Sequence, residues 1–285
     1  MIALTPWGEV VMECRQRQSR ISMVNRMIES TTAPGAAVSA PVRKVRLGLL
    51  QGFQLECGES EVDLPLSSQR VLAFLALQLR AQSRLHVAAT LWTDFDEERA
   101  GASLRSALWR INRTGHPLVA ADCRSLRLMP DVVVDLRESE CSAREVLRGE
   151  ACSGAARVDD LAAGDLLPGW YDDWVVTERE HFRQLRLHAL EKLCERLTDE
   201  GRFGSAVEAG LAAVSSEPLR ESAHRVLIRA YLTEGNRGEA IRQYEGCQSV
   251  LRRELGIDPS PLTRALLDRP DGPRDESETP RWRSS

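Results

Sequence analysis

A repeat of 34 residues constrains the fold of this chain more than any other feature. The segment 201–206 (GRFGSA) matches 235–240 (GNRGEA) at that offset, and Leu193 pairs with Leu227 and Leu190 with His224. Gly201 and Gly235 fall where a helix would end, and Ala206 and Ala240 fall where two helices would have to pack closely. Ala213 and Pro218 complete the pattern in the first copy; Tyr231, Tyr244 and Cys247 fill the matching region of the second. A repeat of this period is one helix pair that buries its apolar face on its neighbours, as in tetratricopeptide arrays. Almost everything from Val134 onward reads as helix, so residues 136–268 are expected to form an all-α, tetratricopeptide-like domain.

The preceding segment has a different grammar. Residues 45–50 (VRLGLL) and 53–57 (FQLEC) alternate with period two, and Gly58 opens a turn between strand-like runs. Ser67 and Ser68 precede the apolar run 71–79, which predicts a helix with a serine cap. A short helix is expected around Val87 to Trp92 and a longer one from about Arg99 to Arg113. Residues 118–128 (LVAADCRSLRL) read as two short strands around a polar turn. Strands, three helices and a hairpin, in that order, predict an α+β winged helix-turn-helix over 43–135. Outside these parts, 1–42 is expected to be a flexible leader and 269–285 a disordered tail rich in Pro, Ser and charge.

The third expected helix carries the functional signal. Leu104, Ala107, Leu108 and Ile111 share the spacing of a packed face. Ser103, Ser106, Arg110 and Arg113 fall roughly opposite, with Arg99 at the N-terminal end and Arg105, Trp109 and Asn112 on the flank. From Arg99 to Arg113 there is no acidic residue. An apolar stripe backed by arginine and short polar side chains suits entry into the DNA major groove, where a guanidinium spans two acceptors on guanine. Arg124 and Arg127 in the expected wing would meet an adjacent backbone or minor groove. Ser68 and Arg70 would sit at a helix N-terminus, where free amides favour phosphate. The acidic connection with Asp94, Asp96, Glu97 and Glu98 would face away from phosphates. It reads equally as solvated N-capping acids or as a contact for a basic surface such as RNA polymerase.

The net charge of −4 does not announce a nucleic-acid binder, so the distribution has to carry the argument. Lys44 and Lys192 are the only lysines among 38 basic residues, and the preference for arginine favours forked contacts to phosphate and guanine. Seven widely spaced cysteines without a C-x-x-C fit neither a disulfide framework nor a zinc site. Nucleotide-binding and serine-nucleophile signatures are missing from the sequence. His181 and His188 lack metal-binding company, and Asp159–Asp160 and Asp172–Asp173 read as caps and solvated surface. Trp170 and Trp174, four apart, read as one helical face packing the repeat domain on the winged helix. The expectation is a cytoplasmic protein that is not an enzyme and takes no cofactor or metal.

Several segments together resemble the SARP-type activators, the antibiotic regulatory proteins. They are 45–53 (VRLGLLQGF), 68–77 (SQRVLAFLAL), Leu91-Trp92, 102–110 (ASLRSALWR), 166–174 (LLPGWYDDW), 218–225 (PLRESAHR), and Tyr244 with 251–260 (LRRELGIDPS). The resemblance covers about residues 45–267. It implies an OmpR-type winged helix joined to a bacterial transcriptional activation domain. It further implies side-by-side protomers or a homodimer on direct-repeat promoter DNA, recruitment of RNA polymerase through sigma and other subunits, and control of a secondary-metabolite (antibiotic) gene cluster. Asn112 stands where the family often has a basic residue, which bears on the operator sequence. An interaction adaptor without DNA, or a repressor of the same fold, are the alternative readings of the residues.

Overall fold

The computed structural model describes residues 45–149, 158–162 and 164–268. The expected leader and the expected tail lie outside the described residues. The described chain divides into two compact units, one ending at Arg186 and one starting at Leu187.

The first unit begins with β1 (Val45–Gly48) and β2 (Gln54–Cys57), an antiparallel pair in the register Val45–Cys57 to Gly48–Gln54. Period-two patterning places Val45, Leu47, Leu55 and Cys57 in the core and turns Arg46 and Glu56 outward. β3 (Ser60–Glu61) extends this edge. Helices α1 (Leu66–Leu77), α2 (Arg84–Leu91) and α3 (Glu97–Asn112) follow, with the two-residue β4 (Gln82–Ser83) between α1 and α2. The wing is β5 (Val119–Ala121) and β6 (Ser125–Leu128); β6 pairs with both β5 and β4. The winged helix-turn-helix order is therefore present.

A strand not anticipated from the sequence, β7 (Val132–Val134), lies parallel to β1 and completes the four-stranded sheet β3-β2-β1-β7. Three consecutive valines between a hairpin and a helix carry no alternation, so periodicity gives no warning of it. Asp135 then begins α4 (Asp135–Arg148), and its carboxylate accepts from the amides of Leu49 (2.9 Å), Leu50 (3.0 Å) and Leu136 (2.6 Å). One side chain thus ties the exit of β1 to the entry of α4.

The first unit extends beyond the winged helix. It includes α4, α5 (Val158–Ala162) and the opening turns of α6 (Asp173–Asp199). Leu166, Leu167, Val175 and Phe182 belong to the same buried cluster as Phe74 and Leu108. Trp170 stacks on Phe53 at 6.4 Å between centroids, and Trp174 meets Phe74 edge-on at 5.4 Å. These two tryptophans pack as expected, although Trp170 precedes α6 and so does not share a helical face with Trp174. Arg179 donates to the carbonyls of Leu166 (2.7 Å), Leu167 (2.5 Å) and Trp170 (2.8 Å), fixing the segment that bears them.

The second unit holds the remaining turns of α6, then α7 (Phe203–Ser216), α8 (Glu221–Glu234), α9 (Arg237–Leu255) and the single turn α10 (Pro261–Arg264). The repeat is visible in its burial. Ala206 and Ala240, Ala213 and Cys247, and Leu193 and Leu227 are all buried, as are Leu190 and its counterpart His224. Gly201 and Gly235 adopt φ of +72° and +89°, the left-handed turn that ends a helix and that a Cβ would strain. At Gly210 a Cβ would come within 3.0 Å of Leu227, so the absent side chain sets how closely α7 and α8 approach. Burial pushes the thiols of Cys194 and Cys247 up to about 12 and about 11, as befits packing groups.

Candidate nucleic-acid interface

The geometry of α3 follows from its buried face. Leu104, Ala107, Leu108 and Ile111 are buried as expected, joined by Ala100 one turn earlier. The helix starts two residues sooner than the arginine run suggested. Asp96 is its N-cap, accepting from the Arg99 amide at 2.9 Å, and Glu97 and Glu98 occupy the first turn. The helix as a whole is therefore not acid-free; its acids cluster at the end where the dipole favours them. Asp94, Asp96, Glu97 and Glu98 are all exposed.

Beyond that first turn the open side is cationic. Arg105, Ser106, Trp109, Arg110, Asn112 and Arg113 are exposed and Ser103 is half-buried. The Arg105 guanidinium lies back over Gly101, where a side chain would bring a Cβ within 3.4 Å of it. Arg113 sits over the Trp109 ring at 4.8 Å. Arg99 is exposed too, but it faces Asp96 at 3.6 Å, a pair worth little in water.

Among the described residues, Arg105 and Arg110 of α3, Arg113 at its C-cap, and Arg124 and Arg127 of the wing have no carboxylate partner. Several arginines elsewhere are paired with acids. Arg144 pairs with Glu140, Arg183 with Glu180, Arg220 with Glu191 and Arg252 with Asp258. Guanidiniums left to water on one helix and one hairpin supply donors that no internal acid has claimed.

The wing turn is built to present Arg124. The Asp122 carboxylate accepts from the amides of Arg124 (2.7 Å) and Ser125 (2.6 Å) and from the Ser125 hydroxyl (2.7 Å). The Ser125 hydrogen bond, with those amides, holds the Asp122 carboxyl below its ordinary range. Arg84 at the start of α2 donates its Nε to the Asp122 carbonyl (2.8 Å), and its amide donates to the Arg124 carbonyl (2.9 Å). Neither Arg84 nor Asp122 stood out in the sequence. The available cue was an Asp three residues before a Ser in a turn, a common local hydrogen-bonding pattern.

Two expected contacts leave the set. Ser68 is fully buried, and its hydroxyl donates to the Ala107 carbonyl of α3 at 3.2 Å. Arg70 is half-buried and ion-paired with Asp172. Both errors have one physical cause: α1 starts at Leu66 with Pro65 as N-cap and no side-chain cap bond. The serines therefore lie inside the first turn, and Arg70 faces the segment before α6 rather than a helix end. By the same contact Asp172 is not solvated surface.

Against this geometry the comparisons with known proteins fall into place. Residues 134–269 match the family described as bacterial transcriptional activator domain, which defines the class of the helical part. The chain is homologous to SARP-family transcriptional regulators. It is 28% identical over 220 residues to the regulatory protein AfsR of Streptomyces coelicolor, covering 72% of this chain and 22% of that protein. It is 41% identical over 66 residues to the transcriptional regulatory protein EmbR of Mycobacterium tuberculosis, covering 23% of this chain and 17% of EmbR. The solved structure of M. tuberculosis EmbR in complex with a low affinity phosphopeptide shares the fold. Its TM-score is 0.61 at 24% identity, over 79% of this chain and 64% of that one. The chain thus spans about a fifth of the length of the AfsR protein it matches.

Proposed function

We propose that the chain is a sequence-specific DNA-binding transcriptional activator. One observation carries this reading: Arg105, Arg110, Arg113, Arg124 and Arg127 stand exposed and without acidic partners on the helix and hairpin that a winged helix offers to DNA. Helix α3 enters the major groove, with Ser103, Ser106, Arg110 and Arg113 toward base edges and Arg105 at the flank. Arg124 and Arg127 meet the neighbouring backbone. The names of the relatives, all regulatory proteins, support the same reading.

In this proposal protomers bind side by side on direct-repeat promoter elements and recruit RNA polymerase, switching on a secondary-metabolite gene cluster. The exposed acids Asp94, Glu97 and Glu98 supply the polymerase contact, with Asp96 partly committed to capping α3. The location is the cytoplasm; among the described residues no helix is long and apolar enough to cross a membrane.

Reconstituted transcription from the chain's own target promoter tests the reading. Wild type raises transcript yield, and Arg110→Ala weakens promoter affinity by about 1–3 kcal/mol while relaxing the sequence preference. Replacing Asp94, Glu97 and Glu98 with alanine leaves promoter affinity intact and lowers the yield. A wild type that binds the promoter and lowers transcript yield would make the chain a repressor of the same fold.

A further inference from the structure

Trp109 is the one large apolar side chain exposed on α3, at 58%. Its neighbours one turn away are Arg105, Ser106, Asn112 and Arg113. Leaving an indole in water forgoes the burial that aromatic side chains ordinarily gain, so a surface that covered it would recover that burial. Protein-binding hot spots also combine Trp with Arg, so the place of the indole on the helix that a winged helix offers to DNA decides what kind of surface that is. Here the rim is guanidinium, hydroxyl and carboxamide, a set that fits the polar floor of a DNA groove. The one apolar group on that floor is the 5-methyl of thymine.

Two further features give the indole reach. Ser106 and Ala102 stand one and two helical turns from it on the open side, and they are small enough for the helix to approach closely. Arg113 lies over one face of the ring at 4.8 Å and has no carboxylate partner among the described residues. That contact limits the rotamers of both side chains and leaves the other face and edge of the indole open.

We propose that Trp109, held by Arg113, is a specificity-determining residue that reads the 5-methyl group of a thymine in the major groove. This rests on the DNA-binding reading above, so the test separates the two. The full chain first selects its preferred duplex from a random-sequence DNA pool. Each thymine of that duplex is then replaced singly by deoxyuridine, which removes the methyl and keeps every hydrogen-bonding group. Wild type is expected to lose about fourfold in affinity at one thymine per half-site, the value of one buried methyl-sized group. Trp109→Ala is expected to bind the thymine and uracil duplexes equally at that position, and Trp109→Phe to retain part of the discrimination.

Indifference of wild type to uracil at every position overturns the proposal while leaving DNA binding in place. So does a Trp109→Ala variant that keeps full uracil sensitivity but loses cooperative binding of two protomers, since the indole would then be a protein contact. Failure of wild type to select any duplex overturns the DNA-binding reading itself, and this proposal with it.

Discussion

Arg70 and Arg110 are the same side chain put to opposite uses. Arg70 faces Asp172 in a half-buried pair, whereas Arg110 lies in solvent with no acid beside it. Arg70→Ala leaves a carboxylate partly buried and unpaired, which should cost about 1–3 kcal/mol of folding stability. Chemical denaturation reads that loss, while the salt dependence of DNA binding stays unchanged. Arg124→Ala should do the reverse, lowering the slope of log affinity against log salt by about 1 with stability intact.

His224 belongs at the same scale. Its Nε2 lies 2.9 Å from the Pro218 carbonyl and its Nδ1 2.8 Å from the Gln243 amide, so the neutral ring is fully bonded. Burial holds its pKa below the ordinary histidine value. The folded state therefore binds fewer protons than the unfolded one, so stability is complete above pH ~6.5 and falls as pH drops below it toward the folded value. The repeat places Leu190 at the matching position, so His224→Leu should flatten thermal stability between pH 7.5 and 5.5. An unchanged pH slope in that variant would assign the effect elsewhere.

At the scale of elements, the order strand, three helices and hairpin was legible because periodicity changes from two to about 3.6 and back. The helix pairs were legible because Gly201, Ala206 and Ala213 recur as Gly235, Ala240 and Cys247 at a fixed offset. Helix starts were less so. Ser67 and Ser68 resemble caps, but Pro65 takes the cap position of α1, and Asp96 starts α3 ahead of the arginine run. The open face of α3 was readable from the helical period, whereas the pairing of Arg70 was not, since Asp172 lies 102 residues away. Ser68→Ala tests the corrected placement. Losing the bond to the Ala107 carbonyl should cost about 1 kcal/mol of stability. DNA affinity at fixed salt should not move; a several-fold loss of affinity without loss of stability would restore Ser68 as a phosphate contact.

For the molecule as a whole, the family match and the packing draw different lines. The activator-domain match begins at residue 134, yet α4, α5 and the first turns of α6 fold into the first compact unit. Phe53 and Phe74 of the winged helix are covered by Trp170 and Trp174, so the part that offers arginines to DNA is completed by the sequence that follows it. The net charge of −4 describes none of this, because it averages over the exposed arginines of α3 and the wing, which have no carboxylate partner among the described residues. The most direct measurement is fluorescence anisotropy of labelled target-promoter duplex, titrated with the full chain across a range of salt. The account predicts tight, steeply salt-dependent binding by wild type. The triple variant Arg105→Ala, Arg110→Ala, Arg113→Ala should lose at least about tenfold in affinity, most of it at base contacts, and flatten that slope by only about 1 at the flanking Arg105. Equal affinity and equal slope for the two proteins would contradict it.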